Sequence, residues 1–117
     1  MPQFRGRCHC GAVQFETNLE LDQLMTCNCS LCGRTGAIMA FVPLSQVNLV
    51  CSPEAQTDYQ FGKKKIHHPF CTTCGVRTLG WGPGHDGTDW ALVNVRCIED
   101  LDTHTLTVAR QFDGKNL

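Results

Sequence analysis

Short stretches of alternating character run through the chain. In "AVQFET", residues 12–17, apolar and polar positions alternate, the period of a half-buried strand. "AIMAFV", residues 37–42, is apolar on both faces and reads as a central strand. "VNLVC" (47–51), "TDYQF" (57–61), "KKIHHPF" (64–70), "VRTLGW" (76–81) and "DWALVNV" (89–95) also read as strands, most of them ending near Gly, Pro, Asn or Asp. No window of about twelve residues carries an apolar stripe at helical spacing. One helical turn, after Cys29 or near Glu99 to Asp102, is the most helix that the pattern allows. The expectation is an all-β fold, a sandwich or partly open barrel of short antiparallel strands.

At 117 residues the chain can bury one core, so a single domain over residues 1–117 is expected. Ten basic and eleven acidic side chains leave a net charge of −1, which excludes the basic field that a nucleic-acid partner needs. The charge run Lys63-Lys64-Lys65 reads as a solvated turn or strand edge. The first residues, "MPQFRGRCHC", lack the apolar segment of a signal peptide, and the longest apolar run, 37–42, is too short for a bilayer. These features predict a soluble, cytoplasmic protein with no membrane partner. Thiols stay reduced in that compartment, so the nine cysteines point to metal rather than to disulfides.

Seven of the nine fall in three groups. Cys8 and Cys10 lie in "RCHCGA"; Cys27, Cys29 and Cys32 in "TCNCSLCGRTGA"; Cys71 and Cys74 in "FCTTCGV". Each group ends in Cys-Gly, at Gly11, Gly33 and Gly75. Backbone that wraps a metal turns sharply, and glycine reaches positive φ at no steric cost. Such turns also aim backbone N–H groups at the sulfurs. Four thiolates from two separate turns make a closed structural zinc site, and the Cys8/Cys10 and Cys71/Cys74 pairs would staple segments about sixty residues apart. The three-cysteine loop then remains. Three protein ligands with an exchangeable fourth is the pattern of a catalytic zinc.

Spacing alone leaves other partitions open. Cys29/Cys32 can instead join Cys71/Cys74, and an iron–sulfur cluster uses the same ligands. A CxxC redox pair belongs in a βαβ setting, which this pattern lacks. Cys51 and Cys97 stand alone in apolar surroundings and read as buried inert thiols. Of the histidines, His67 and His68 precede Cys71, and a strand sends at most one of them inward; His9, His85 and His104 read as solvent or loop positions.

The order CxC, CxCxxC, FCxxCG resembles that of the glutathione-dependent formaldehyde-activating enzyme family, which includes the centromere protein V relatives. "NVRCIED" (94–100) and "FDGKN" (112–116) are similar to that family as well, so the resemblance covers nearly the whole chain. It implies an Mss4-like fold, a zinc-stapled β-sandwich or partly open barrel. It implies a structural zinc on Cys8, Cys10, Cys71 and Cys74 and a second, catalytic zinc on Cys27, Cys29 and Cys32. The implied activity is that of a carbon–sulfur lyase that forms and cleaves S-hydroxymethylglutathione, with glutathione and an aldehyde as small-molecule substrates. A thiol at the open zinc position would be deprotonated, ready to attack an aldehyde. Glutathione is anionic, and Arg7, Arg34, Arg77 and Lys63 to Lys65 are the candidate contacts, with Arg34 nearest in sequence to the loop. The alternative is a zinc-stapled β-domain that binds a protein without catalysis. Simple thiol or metal handling fits less well, because the loop holds three cysteines rather than two or four.

Overall fold

The computed structural model describes residues 2–116; Met1 and Leu117, the ends of the expected domain, lie outside the described residues. The strands are β1 (Gln3–Arg7), β2 (Gln14–Asn18), β3 (Met25–Cys27), β4 (Met39–Pro43), β5 (Val47–Val50), β6 (Gln56–Tyr59), β7 (His68–Cys71), β8 (Leu79–Pro83), β9 (Asp89–Asn94) and β10 (Arg110–Phe112). One short helix, α1 (Cys32–Thr35), follows Cys29, as the sequence pattern allows. The other allowed turn is displaced: the chain makes a 3-10 turn over Val95–Cys97, ahead of Glu99.

Three open sheets result. Their orders are β1-β2-β5, β10-β3-β4-β9-β8 and β6-β7, so β4 is central as its two-sided apolar run predicts. Alternation decides which face is buried. Ala40 and Val42 of β4, Ala91 and Val93 of β9 and Leu79 of β8 meet Phe15 of β2 in the main core. The five-stranded sheet therefore packs on the three-stranded one as a sandwich, and the all-β expectation holds. Gly6 stands opposite Phe15 in the β1–β2 pairing, and a Cβ there would lie 2.2 Å from the end of the Phe15 ring. The pair is thus complementary in volume, and adding a methyl at position 6 overpacks the core.

Two departures from the expected pattern bear on the site. First, not every strand pair is antiparallel: β10 runs parallel to β3, with Phe112 beside Cys27. A parallel pair needs a long connection, and here residues 28–109 intervene before the C-terminal segment returns to β3. Second, the expected strand 64–70 begins only at His68. Residues 62–66 form an exposed turn, with Lys64 at φ 54°, and the lysine run sits on it as a solvated turn. His67 makes a lone bridge to Trp81, which ties the β6–β7 arm to the edge of the large sheet. No helix of the described residues is long and apolar enough to cross a membrane.

Candidate metal centres

The Cys8/Cys10 turn follows β1, and the Cys71/Cys74 turn follows β7. The two turns are built alike. In the first, Cys8 N–H donates to the Val13 carbonyl at 2.9 Å and Gly11 N–H to the Cys8 carbonyl at 3.3 Å. In the second, Cys71 N–H donates to the Val76 carbonyl and Gly75 N–H to the Cys71 carbonyl, both at 2.9 Å. Gly11 (φ 85°) and Gly75 (φ 81°) occupy the left-handed region that the tight turn demands. Val13 N–H points at Cys8 Sγ and Cys74 N–H at Cys71 Sγ, each at 3.4 Å.

These turns bring four sulfurs within 4.8 Å of one another. Cys10 Sγ lies 3.7 Å from Cys8 Sγ and 3.6 Å from Cys71 Sγ. Thiolates at about 2.3 Å from a tetrahedral zinc stand roughly 3.8 Å apart, so the donor set fits that ion; a disulfide would need about 2.05 Å. Cys8 and Cys71 are 1% and 0% exposed and sit in an apolar collar with Val13, Cys51, Ala55 and Val76. The Val76 and Cys10 N–H groups hold the Cys74 thiol down at about 6, and the Cys74 N–H lowers Cys71. At Cys10 the Ala12 N–H pulls downward, yet the Cys71 sulfur and burial win and push the thiol up to about 11. Without a cation, four close sulfurs cannot all carry charge; a divalent ion removes that conflict.

The second group is local. Cys27 ends β3, Cys29 follows in the turn, and Cys32 opens α1. Their sulfurs also lie within 4.8 Å of one another. Cys29 N–H donates to Cys27 Sγ at 3.4 Å and Cys32 N–H to Cys29 Sγ at 3.3 Å. The expected glycine turn is not where Cys-Gly suggested. Gly33 is helical, its N–H bonded to the Cys29 carbonyl at 2.8 Å, and the left-handed residue is Gly36 (φ 69°), which ends α1. Burial opposes a thiolate at Cys29, but N–H donation from Cys32 prevails and lowers it. Burial, then the neighbouring Cys29 and Cys27 sulfurs, push Cys32 up to about 12, with the Arg77 charge pulling the other way. Cys32, Ala37 and Met39 form a small apolar patch that Cys27, Cys29 and Leu92 flank.

The segment 112–116 straps this loop. Asn28 N–H donates to the Phe112 carbonyl at 3.2 Å, and the Asn28 side chain donates to Asp113 Oδ1 and accepts from Lys115 N–H, each at 2.9 Å. Gly114 passes so close that a Cβ on it would lie 2.8 Å from Cys27 Sγ and 3.1 Å from Cys29 Cβ. Asn28, Asp113 and Gly114 were not among the candidate residues. Their signal was the "FDGKN" segment itself, whose place against the loop depends on a non-local strand pair.

Other candidates lie elsewhere. His67 Nδ1 is 2.6 Å from Asp58 Oδ2 and stacks on Trp81, while His68 accepts from Arg77; neither histidine joins a sulfur group. Cys51 and Cys97 stay outside both groups and are half-buried rather than buried; Cys97 Sγ donates to the Arg77 carbonyl at 3.7 Å. Burial raises both thiols, Cys97 to about 11. Arg34 turns back onto the Ser30 carbonyl at 2.8 Å, and Arg7 pairs with Glu99 at 2.9 Å. Of two shallow hollows, one beside Arg7, Gln14 and Glu99 borders the Cys8/Cys10 turn and one is lined by Leu44, Leu49 and Trp81; no cysteine lines either, so the sulfur geometry rather than concavity marks the site.

Comparison with known proteins agrees with this architecture. A crystal structure of a Rhodobacter sphaeroides protein superposes with a TM-score of 0.81 at 36% identity, covering 92% of this chain and 98% of that one. The family pattern described as "Glutathione-dependent formaldehyde-activating enzyme" matches residues 3–112, which include all seven grouped cysteines and β1 to β10. The chain belongs to the glutathione-dependent formaldehyde-activating enzyme family.

Proposed function

We propose that the protein is a zinc-dependent carbon–sulfur lyase that forms and cleaves the adduct of glutathione with an aldehyde, in a compartment where thiols stay reduced. The observation that carries this reading is the contrast in closure: one group offers four sulfurs and the other only three. In this reading Cys8, Cys10, Cys71 and Cys74 hold a structural zinc, and Cys27, Cys29 and Cys32 hold a second one with a free position. Zinc bound by the loop supplies charge that keeps a coordinated thiol deprotonated and polarises a carbonyl. The chain's own part is to hold and orient. The Cys29 and Cys32 N–H groups fix the sulfurs of Cys27 and Cys29, and the Asn28 clamp fixes the loop against 112–116. Adduct formation joins the sulfur's electron pair to the carbonyl carbon and moves the C=O pair onto oxygen, which takes a proton from solvent; cleavage is the reverse. No acid–base pair on the protein is required, so positioning supplies most of the effect.

Metal analysis tests the site and exchange kinetics test the reaction. Two zinc ions per chain are expected. In protein loaded with Co²⁺, glutathione should alter the visible spectrum and S-methylglutathione, which lacks a free thiol, should not. NMR exchange between formaldehyde and its glutathione adduct should exceed a protein-free control. Spectral silence with exchange at the control rate would overturn the enzyme reading. The second reading, protein binding without catalysis, would then lead, favoured by Tyr59, Phe61 and Ile66, which stand exposed on the arm around residues 60–66.

A further inference from the structure

The geometry points to Arg77 as the anchor for a carboxylate of the thiol peptide, on the far side of a strip of sheet from the three-thiol loop. The inference rests on the function proposed above and names a substrate contact for the same site. Leu92 of β9 pairs with Phe41 of β4 on one side and Gly80 of β8 on the other. Paired residues project to the same face of a sheet, so these three positions form a strip. At one flank Leu92 packs on the Cys32–Met39 patch of the thiol loop. At the other, a Cβ on Gly80 would lie 2.6 Å from the His67 carbonyl oxygen and 3.9 Å from His68 Nδ1, so the His68 ring overhangs the same face. Arg77 Nη1 donates to that Nδ1 at 3.0 Å, and Phe61 stacks behind the ring at 5.3 Å. At the β4 end of the strip Phe41 is left 41% exposed.

The span suits a small peptide. Asn94 pairs with Met39 across β9 and β4, and its side chain donates to the Arg77 carbonyl at 2.9 Å. Arg77 is thus about two strand spacings, roughly 10 Å, from the residue that supports Cys32. The thiol of glutathione is on its central residue, and the γ-glutamyl carboxylate lies eight bonds from that sulfur, roughly 10 Å when extended, so a sulfur at the loop leaves that carboxylate near Arg77.

Charge singles out the same residue. Arg77 is half-buried, and among the described residues no carboxylate pairs with it; the ion pairs there engage Arg5, Arg7 and His67. Its partner His68 is an imidazole that burial, then the Arg77 charge, keep from protonating. One guanidinium edge is therefore steadied by a neutral acceptor, and the remaining N–H donors can receive a carboxylate in bidentate fashion.

The test compares thiols on Co²⁺-loaded protein. Glutathione carries carboxylates, and 2-mercaptoethanol has the thiol alone. Arg77→Met should weaken glutathione binding about tenfold to hundredfold, the loss expected for charge-assisted hydrogen bonds, and leave 2-mercaptoethanol binding unchanged. Arg77→Lys keeps the charge without the planar fork and should fall between. Equal affinities for glutathione in wild type and Arg77→Met, or equal weakening of both thiols, overturns the inference while the lyase reading stands. If wild type binds neither thiol, the lyase reading fails and this contact falls with it. Should Arg77→Met not fold, Arg77→Lys decides: undiminished glutathione affinity overturns the anchor.

Discussion

The two sulfur groups use the same local device, a backbone N–H aimed at a sulfur from a tight turn, and yet they differ in what they join. The four-sulfur group joins Cys10 to Cys71 across 61 residues and lies against apolar side chains. The three-sulfur group spans only residues 27–32 and is held from outside by polar contacts of Asn28 with the C-terminal segment. Sequence separation decides what a metal contributes. A link between distant turns removes much of the unfolded chain's freedom, whereas a link within one loop removes little. Burial alone does not separate them, since Cys8 and Cys71 are buried beside an exposed Cys10 and a half-buried Cys74, and Cys32 is buried beside half-buried Cys27 and Cys29; the number of sulfurs, four against three, is what differs. In the function proposed above, the same ligand type would thus give a staple in one place and an exchangeable site in the other.

The largest effect expected from breaking this contrast is at the staple. Cys71→Ser removes one ligand from the four-sulfur group. A structural zinc contributes on the order of 10–16 kcal/mol, as much as the whole stability of a typical domain, about 5–15 kcal/mol. The variant should show no cooperative melt and should lose strand-rich circular dichroism. A native melting curve would mean that this group does not hold the fold together.

Cys29→Ser should act on function alone. Its loop staples nothing distant, so the melting temperature should stay within a few degrees of wild type, as for a change that removes a local contact. Metal content should fall by one ion per chain, and adduct exchange should drop to the control rate. Global unfolding in Cys29→Ser would reverse the roles of the two groups.

How much of this could be read from the sequence follows from the range of each interaction. The three cysteine groups were legible because ligand spacing within a turn is local chemistry, while which groups combine is non-local and spacing left it open. β2 and β9 were legible because alternate residues are buried, and β4 because its run is apolar on both faces. β1 was missed: in "QFRGR" only Gly6 is buried, so no apolar alternation marks it. β3 and β10 have three residues each, too few for a period, and their parallel pairing joins opposite ends of the chain. Arg34 looked nearest the loop because sequence distance was the measure. Strand order instead sets Arg77 beside Asn94, opposite the residue that supports Cys32. The Cys-Gly repeat misled only at Gly33, where α1 continues through the glycine and defers the left-handed turn to Gly36.

The smallest effect expected sharpens the comparison from the strap. Gly114→Ala places a methyl 2.8 Å from Cys27 Sγ, closer than atoms pack, and 3.1 Å from Cys29 Cβ. Either the strap lifts or the sulfur moves. Both outcomes loosen a ligand of the three-sulfur group and leave the four-sulfur group untouched, because no contact joins 112–116 to the Cys8 or Cys71 turns among the bonds described above. The expected result is a loss of about tenfold in affinity for the second metal, read by chelator competition, since overpacking costs typically about 1–3 kcal/mol. Asn28→Ala should give a similar loss by a different route, removing the partner of Lys115 N–H and of Asp113 Oδ1 and leaving Asp113 held by Asn116 alone. The first metal should resist the chelator as in wild type, and the melting temperature should barely move. A parallel loss of both metals in Gly114→Ala would show that the two groups are coupled through the fold and that the strap does more than steady one loop.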